Sequence, residues 1–423
     1  MANQTIIILL LLITIFYKAT GHAKSPSPAP SLPFPCLPTP LSPSYPPSPA
    51  ASTRRLLACI HVVDLPHDVH RHHLLHPCLY GFVLPDPTTY RININQQDDE
   101  LLANFTTTLQ GKVPPAKALL SIGGGGNNPA IFAQMASSAK NRAAFIDSTI
   151  AAARKYGLDG LDLDWEFPQS QEEMDNLGDL FEEWSAALAK EAAATSSWRL
   201  LLTAAVYFAA EFILADNRSY PSTSIRKNVD WVNAMCFDYH GTWNTSVTGA
   251  HAALYDPKSN VSTSFGLRSW VSAGVPAGKV VMGLPLYGRT WQLRDPAEHG
   301  VGAPAVGVGP GGGLMQFKDL MDYNVENNAT EVYDGITVST YSYSGTAWIG
   351  YDGAMSVKEK IYYAQGLHLG GYFFWALGYD KDWMISQRGM TTEGNHFLNF
   401  MIDVFYGHVG ETTLDTEISA HQI

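Results

Sequence analysis

Along residues 78–377, apolar residues recur in two rhythms. Residues 78–84 (Cys-Leu-Tyr-Gly-Phe-Val-Leu), 117–124, 200–208, 231–239 and 280–287 are short apolar runs, continuous or of period two, and they read as strands. Residues 370–377 are nearly all apolar, as a strand buried on both faces is. Met174, Leu177, Phe181, Trp184 and Leu188 instead recur at intervals of three or four, the buried stripe of an outer helix. Further helices are expected over residues 140–156, with Gly157 as C-cap, and over about 356–368 and 382–405. Strands alternating with helices predict an α/β fold around a parallel sheet.

One strand breaks the apolar rule. In Asp159-Gly160-Leu161-Asp162-Leu163-Asp164-Trp165-Glu166-Phe167-Pro168 the alternation puts Asp162, Asp164 and Glu166 on one face and Leu161, Leu163 and Trp165 on the other. Successive carboxylates then stand about 6.6 Å apart. An apolar outer face and an acidic inner face call for helices outside and an enclosed polar centre inside, which a parallel (β/α) barrel supplies. Glu166 comes last, at the end where such barrels hold their active sites.

Like charges this close do not all ionise in a partly desolvated site, so a proton is shared and at least one pKa rises. A carboxylic acid protonated near neutral pH is what cleavage of a glycosidic bond requires. A solvated acidic turn would not alternate so regularly with leucine and tryptophan. A calcium loop would need glycine at its sixth position and polar residues between its ligands.

Composition narrows the class. A chain of 423 residues with 46% hydrophobic content accommodates one barrel of about 250 residues plus insertions, so one catalytic domain is expected. A formal charge of -12 disfavours nucleic acid and anionic membranes as partners and suits a neutral glycan, which twenty Tyr and ten Trp would stack against. Cys36, Cys59, Cys78 and Cys236 are too few for a disulfide scaffold; Cys59 and Cys78 pair if they sit on neighbouring strands, and otherwise the thiols are buried and free. Residues 1–22, with an apolar run from Ile6 to Tyr17, read as a cleaved secretory signal, with sequons at Asn104, Asn217, Asn244, Asn260 and Asn328 in keeping. Residues 23–54 are a Pro/Ser-rich linker, residues 55–406 the barrel and residues 407–423 a polar tail. His61, His67, His70, His72, His73 and His76 crowd one segment without a recognised ligand spacing, so no metal and no organic cofactor is expected. No phosphate-binding Lys-Ser/Thr follows the glycines 123–126, which more simply let backbone pass close to substrate or the next strand.

Asp159, Asp162, Asp164 and Glu166 match the D-x-x-D-x-D-x-E motif of family 18 glycoside hydrolases, and the flanking segments resemble the plant class V chitinases over about residues 80–405. The resemblance implies an α/β fold of the (β/α)8 TIM barrel type and a secreted, extracellular or vacuolar, monomeric retaining hydrolase of β-1,4-linked N-acetylglucosamine polymers or oligomers, lipo-chitooligosaccharides included. It also implies that the substrate's own N-acetyl oxygen attacks the anomeric carbon. Glu166 would be general acid and later base, Asp164 would orient the acetamido group, and Asp162 would share a proton with Asp164. Ser121-Ile122-Gly123-Gly124 resembles the family's S-x-G-G, and Met235-Cys236-Phe237-Asp238 its M-x-Y-D, with Phe237 where the family has tyrosine. Simple alternation would put Met235, Phe237 and Tyr239 on one face and Cys236 and Asp238 on the other unless a bulge intervenes. Met235, Phe237, Asp238, Tyr239, Tyr287, Arg289 and Trp375 are thus the expected substrate-binding residues. Residues 292–353 correspond to the family's small α+β insertion between strand seven and helix seven, and residues 336–343 look β-like. Where the first strand belongs, residues 56–63 match poorly, so either that strand is unusual or the reading frame before about Pro77 is wrong. Two neighbouring readings are a chitooligosaccharide-binding protein of the same fold with weak or no turnover, and an endo-β-N-acetylglucosaminidase.

Overall fold

The structure is a computed structural model and describes residues 56–62, 77–112, 115–213, 218–382 and 384–386. The expected leader, the linker, histidines 67–76, Cys36, Asn217, the helix beyond residue 386 and the tail lie outside the described residues. Strands β1 (Leu56–Val62), β2 (Cys78–Pro85), β3 (Ile92–Asn93), β4 (Ala118–Gly123), β5 (Gly160–Asp164), β6 (Leu201–Tyr207), β7 (Trp231–Met235) and β8 (Val280–Pro285) come first. They are followed by β9 (Tyr287–Leu293), β10 (Ala305–Val308), β11 (Leu314–Gln316), β12 (Thr330–Asp334), β13 (Ser339–Ser344), β14 (Ala347–Tyr351) and β15 (Gly371–Trp375).

The sheet curls into a ring in the order β1-β15-β8-β7-β6-β5-β4-β2, and β1 pairs with β2 to close it. The strands from β2 through β15 in this ring run parallel, as the βα alternation predicts. β1 corrects the expectation of eight parallel strands, because it is antiparallel to both β15 and β2. The linking residues 63–77 carry histidines and prolines and no apolar helical stripe, and an antiparallel partner needs no crossover helix. The β1–β2 register sets Cys59 opposite Cys78, and Cys78 is disulfide-bonded, whereas Cys236 is a buried free thiol.

The helices form where the stripe placed them. Gln171–Thr195 is capped by Ser170, whose hydroxyl accepts from the Glu173 amide, and it buries Met174, Leu177, Phe181, Trp184 and Leu188 against the ring. Ala139–Lys155 ends with Gly157 at φ +65°, while the Gly157 and Leu158 amides donate back to Arg154 and Ala153, a Schellman-type close that delivers the chain to β5. Inside the ring Leu79, Leu119, Leu201, Trp231, Val281 and Phe373 form an apolar plug. Ser121, Thr203 and Asn233 follow two residues further along their strands, the first two directly opposite Asp162, so the interior turns polar toward the strands' C-terminal ends.

A second, antiparallel sheet of order β10-β9-β14-β13-β12, with β11 on β9, occupies residues 287–351 and has its own core of Trp291, Leu293, Ala303, Ala305, Tyr341 and Trp348. It starts at Tyr287, a few residues earlier than expected. Ile336 is not in a strand: the Asp334 carboxylate accepts from the Ile336 and Thr337 amides and holds a turn, which leads through Val338 at φ +51° into β13.

Candidate active site

β5 carries the acidic row inward while Leu161, Leu163 and Trp165 join the core between ring and helices. Asp162 is 1% exposed and its carboxylate is fully engaged. It accepts from Ser121 Oγ at 2.7 Å, Thr203 Oγ1 at 2.6 Å and Asn233 Nδ2 at 3.1 Å, one donor from each of three neighbouring strands. Asp159, the motif's first acid, instead clamps the strand bottoms, accepting from Lys117 Nζ at 2.7 Å and the Ala118 amide at 2.9 Å.

Asp164 is 6% exposed and its Oδ1 has no hydrogen-bond partner in the protein. Burial raises its pKa well above the usual carboxylate range, and the charges of Glu166 and Asp162 add to the effect. Glu166 lies just past the end of β5, half-buried, and burial together with the Asp238 charge pushes its pKa up to about 7. The hydrogen bond between Asp164 and Glu166 raises the first and lowers the second, so the two carboxyl groups titrate as a pair. Glycines let the neighbouring strand end close in. A Cβ at Gly123 would fall 1.9 Å from the Asp164 carbonyl oxygen, and one at Gly125 only 3.4 Å from both Glu166 carboxylate oxygens.

β7 ends at Met235, short of Phe237 and of the expected residue 239, and the Cys236 amide donates back to the Ala234 carbonyl at 2.9 Å. Asp238 then adopts φ +61°, which breaks the two-residue alternation. Met235 is half-buried, Phe237 packs against the interior plug, and Asp238 turns to the cleft, whereas Cys236 and Tyr239 go outward. Tyr239 therefore corrects the expectation: it is 6% exposed, 3.0 Å from Thr263 Oγ1 in an outer helix, and not a cleft residue. Burial alone would raise the Asp238 pKa, but His251 and Arg289 overcome it and leave it lowered. Arg289 Nε and Nη2 each lie 2.8 Å from Asp238 Oδ1, and His251 Nδ1 lies 3.7 Å away.

Arg289 sits over the Tyr287 ring at 5.6 Å and over the Trp243 ring at 5.2 Å. Tyr287 is itself buried, 6.1 Å from the Phe237 ring. Trp375, half-buried at the end of β15, faces Phe82 at 5.5 Å. The structure thus brings Asp162, Asp164, Glu166, Met235, Phe237, Asp238, Tyr287, Arg289 and Trp375 to the ring's C-terminal side. Sequence reasoning passed over Thr203, Asn233 and His251. The first two carried a signal, a lone polar residue at an inward position of an apolar strand; His251 carried none.

Residues 58–380 match the family described as Glycosyl hydrolases family 18. The chain is 49% identical over 321 residues to a class V chitinase, CHIT5a, of Medicago truncatula, covering 75% of this chain and 83% of that protein. It is 50% identical over 315 residues to Nod factor hydrolase protein 1 of Medicago truncatula, covering 73% and 81%. Among solved structures, a mutant class V chitinase of Nicotiana tobaccum in complex with NAG4 is 40% identical with TM-score 0.72, covering 75% of this chain and 92% of that one. An acidic row enclosed by a curled parallel sheet and a match over most of the chain lead to one conclusion: the chain belongs to glycosyl hydrolase family 18 and is a glycoside hydrolase.

Proposed function

We propose that the chain is a secreted, monomeric hydrolase of β-1,4-linked N-acetylglucosamine chains, chitin and its oligomers including lipid-bearing ones, retaining in stereochemistry and assisted by the substrate's acetamido group. The observation that carries the reading is the graded environment of the three inward carboxylates. Asp162 is fixed by three donors, Asp164 is a buried carboxyl group with an unpartnered oxygen, and Glu166 is a partly open acid beside the cleft.

Chemistry follows from those environments. Glu166 gives its proton to the bridging oxygen as the bond from that oxygen to C1 breaks. The acetamido carbonyl oxygen bonds to C1 from the other face, and the positive charge that develops on the acetamido group is held by Asp164, whose free oxygen accepts the acetamido N–H. Glu166, now a carboxylate, takes a proton from water as that water attacks C1 and releases the acetamido oxygen, so two inversions give retention. Purified protein is expected to cleave chitopentaose between pH 4 and 8. Glu166→Gln is expected to abolish cleavage and keep binding, and absence of cleavage by the wild-type chain across that range would sink the reading.

Phe237 favours a second reading in which the cleft binds chitooligosaccharides with weak turnover, since a phenyl ring offers no donor to the acetamido oxygen. Micromolar binding by calorimetry without hydrolysis is its signature.

A further inference from the structure

Where residues 255–262 lead into the helix Thr263–Ser272 lies a groove of about 440 Å³ that shares no lining residue with the acidic site. Two of its walls are apolar and open to solvent, Tyr255 at 42% and Ile336 at 68% exposure. Polar atoms come from Asp256, Ser259 and Arg268. The Tyr255 ring is braced edge-on against Tyr363 at 5.8 Å, and the Tyr363 hydroxyl accepts from Arg268 Nε at 3.1 Å. Asn260 lines the same groove, is exposed, and opens the sequon Asn260-Val261-Ser262. Its amide is spared from holding the loop. Asp256 accepts from the Lys258 amide at 2.8 Å and from the Ser259 hydroxyl, and Ser259 Oγ accepts from the Val261 amide at 3.1 Å.

We propose that Asn260 is N-glycosylated and that the first N-acetylglucosamine residues of its glycan lie in this groove. In the modification the Asn260 Nδ2 nitrogen bonds to C1 of the first sugar, the bond from C1 to a lipid-linked pyrophosphate donor breaks, and the pyrophosphate and the amide proton leave. Attachment at the rim keeps the sugar at high local concentration beside Tyr255. The C–H face of the pyranose covers the phenol ring, and Arg268, Asp256 and Ser259 meet its hydroxyl and acetamido groups. The inference rests on entry into the secretory route, which is part of the proposed function.

The full chain, secreted from mammalian cells with its own amino terminus and in parallel behind a host leader, tests both points separately. Glycopeptide mass spectrometry is expected to find Asn260 occupied. Asn260→Gln is expected to lower the melting temperature by a few degrees, and in a Tyr255→Ala background the same change is expected to do nothing further. An unmodified Asn260 in secreted protein overturns the proposal, as does an Asn260→Gln effect that is absent, or that persists undiminished without Tyr255. Should only the host-leader form be exported, the secretion reading fails while Asn260 occupancy in that form still decides this one.

Discussion

Among the three inward acids, what each side chain meets separates roles that the sequence alternation leaves alike. Asp162 has no free oxygen, Asp164 has one, and Glu166 faces Asp238 as well as the cleft. On the proposed mechanism Glu166 acts in its protonated form, and with its pKa raised to about 7 the alkaline limb of kcat/KM is expected near that pH. Asp238→Asn removes a charge that raises this pKa, so the limb is expected to move to lower pH, by about half a unit to one unit. A limb that stays in place would separate Asp238 from Glu166. On the proposed mechanism Phe237 offers the acetamido oxygen no donor, and Phe237→Tyr is expected to raise kcat about tenfold. No gain in steady-state rate on chitopentaose would show that Phe237 does not limit turnover.

Between elements, one buried ion pair ties the second sheet to the site. Lys360, in the helix Ala354–Gly366, places Nζ 2.6 and 2.5 Å from the two oxygens of Asp352, just after β14, and 2.5 Å from the Ala252 carbonyl. Ala252 follows His251, which lies 3.7 Å from Asp238. Both charged side chains are essentially inaccessible, so removing one strands the other. Asp352→Asn is expected to cost about 3–5 kcal/mol in guanidinium unfolding, and Asp352→Leu combined with Lys360→Met clearly less. Equal losses in the single and the double variant would contradict that account.

At the scale of the whole molecule, closure of the ring depends on a strand laid in the opposite sense to its neighbours. A chain beginning at Pro77 would expose the edges of β2 and β15 together, and it is expected to aggregate and to lose cooperative unfolding in light scattering and circular dichroism; a soluble, cooperative truncation would show β1 to be dispensable. Much of the rest was legible beforehand, because short-range rules govern it. Period two set Asp162, Asp164 and Glu166 against Leu161, Leu163 and Trp165, and period 3.6 named the buried face of residues 171–195. Tyr239 was misplaced because a single left-handed residue, Asp238, reverses which face follows, and nothing in Cys236-Phe237-Asp238 announces that dihedral. Local sequence therefore determined the strand and helix rhythm, the acidic row and the family motif. Only the tertiary structure decided that Ser121, Thr203 and Asn233 converge on Asp162, that His251 and Arg289 meet at Asp238, and that β1 runs backwards, since each depends on contacts between residues far apart in the chain.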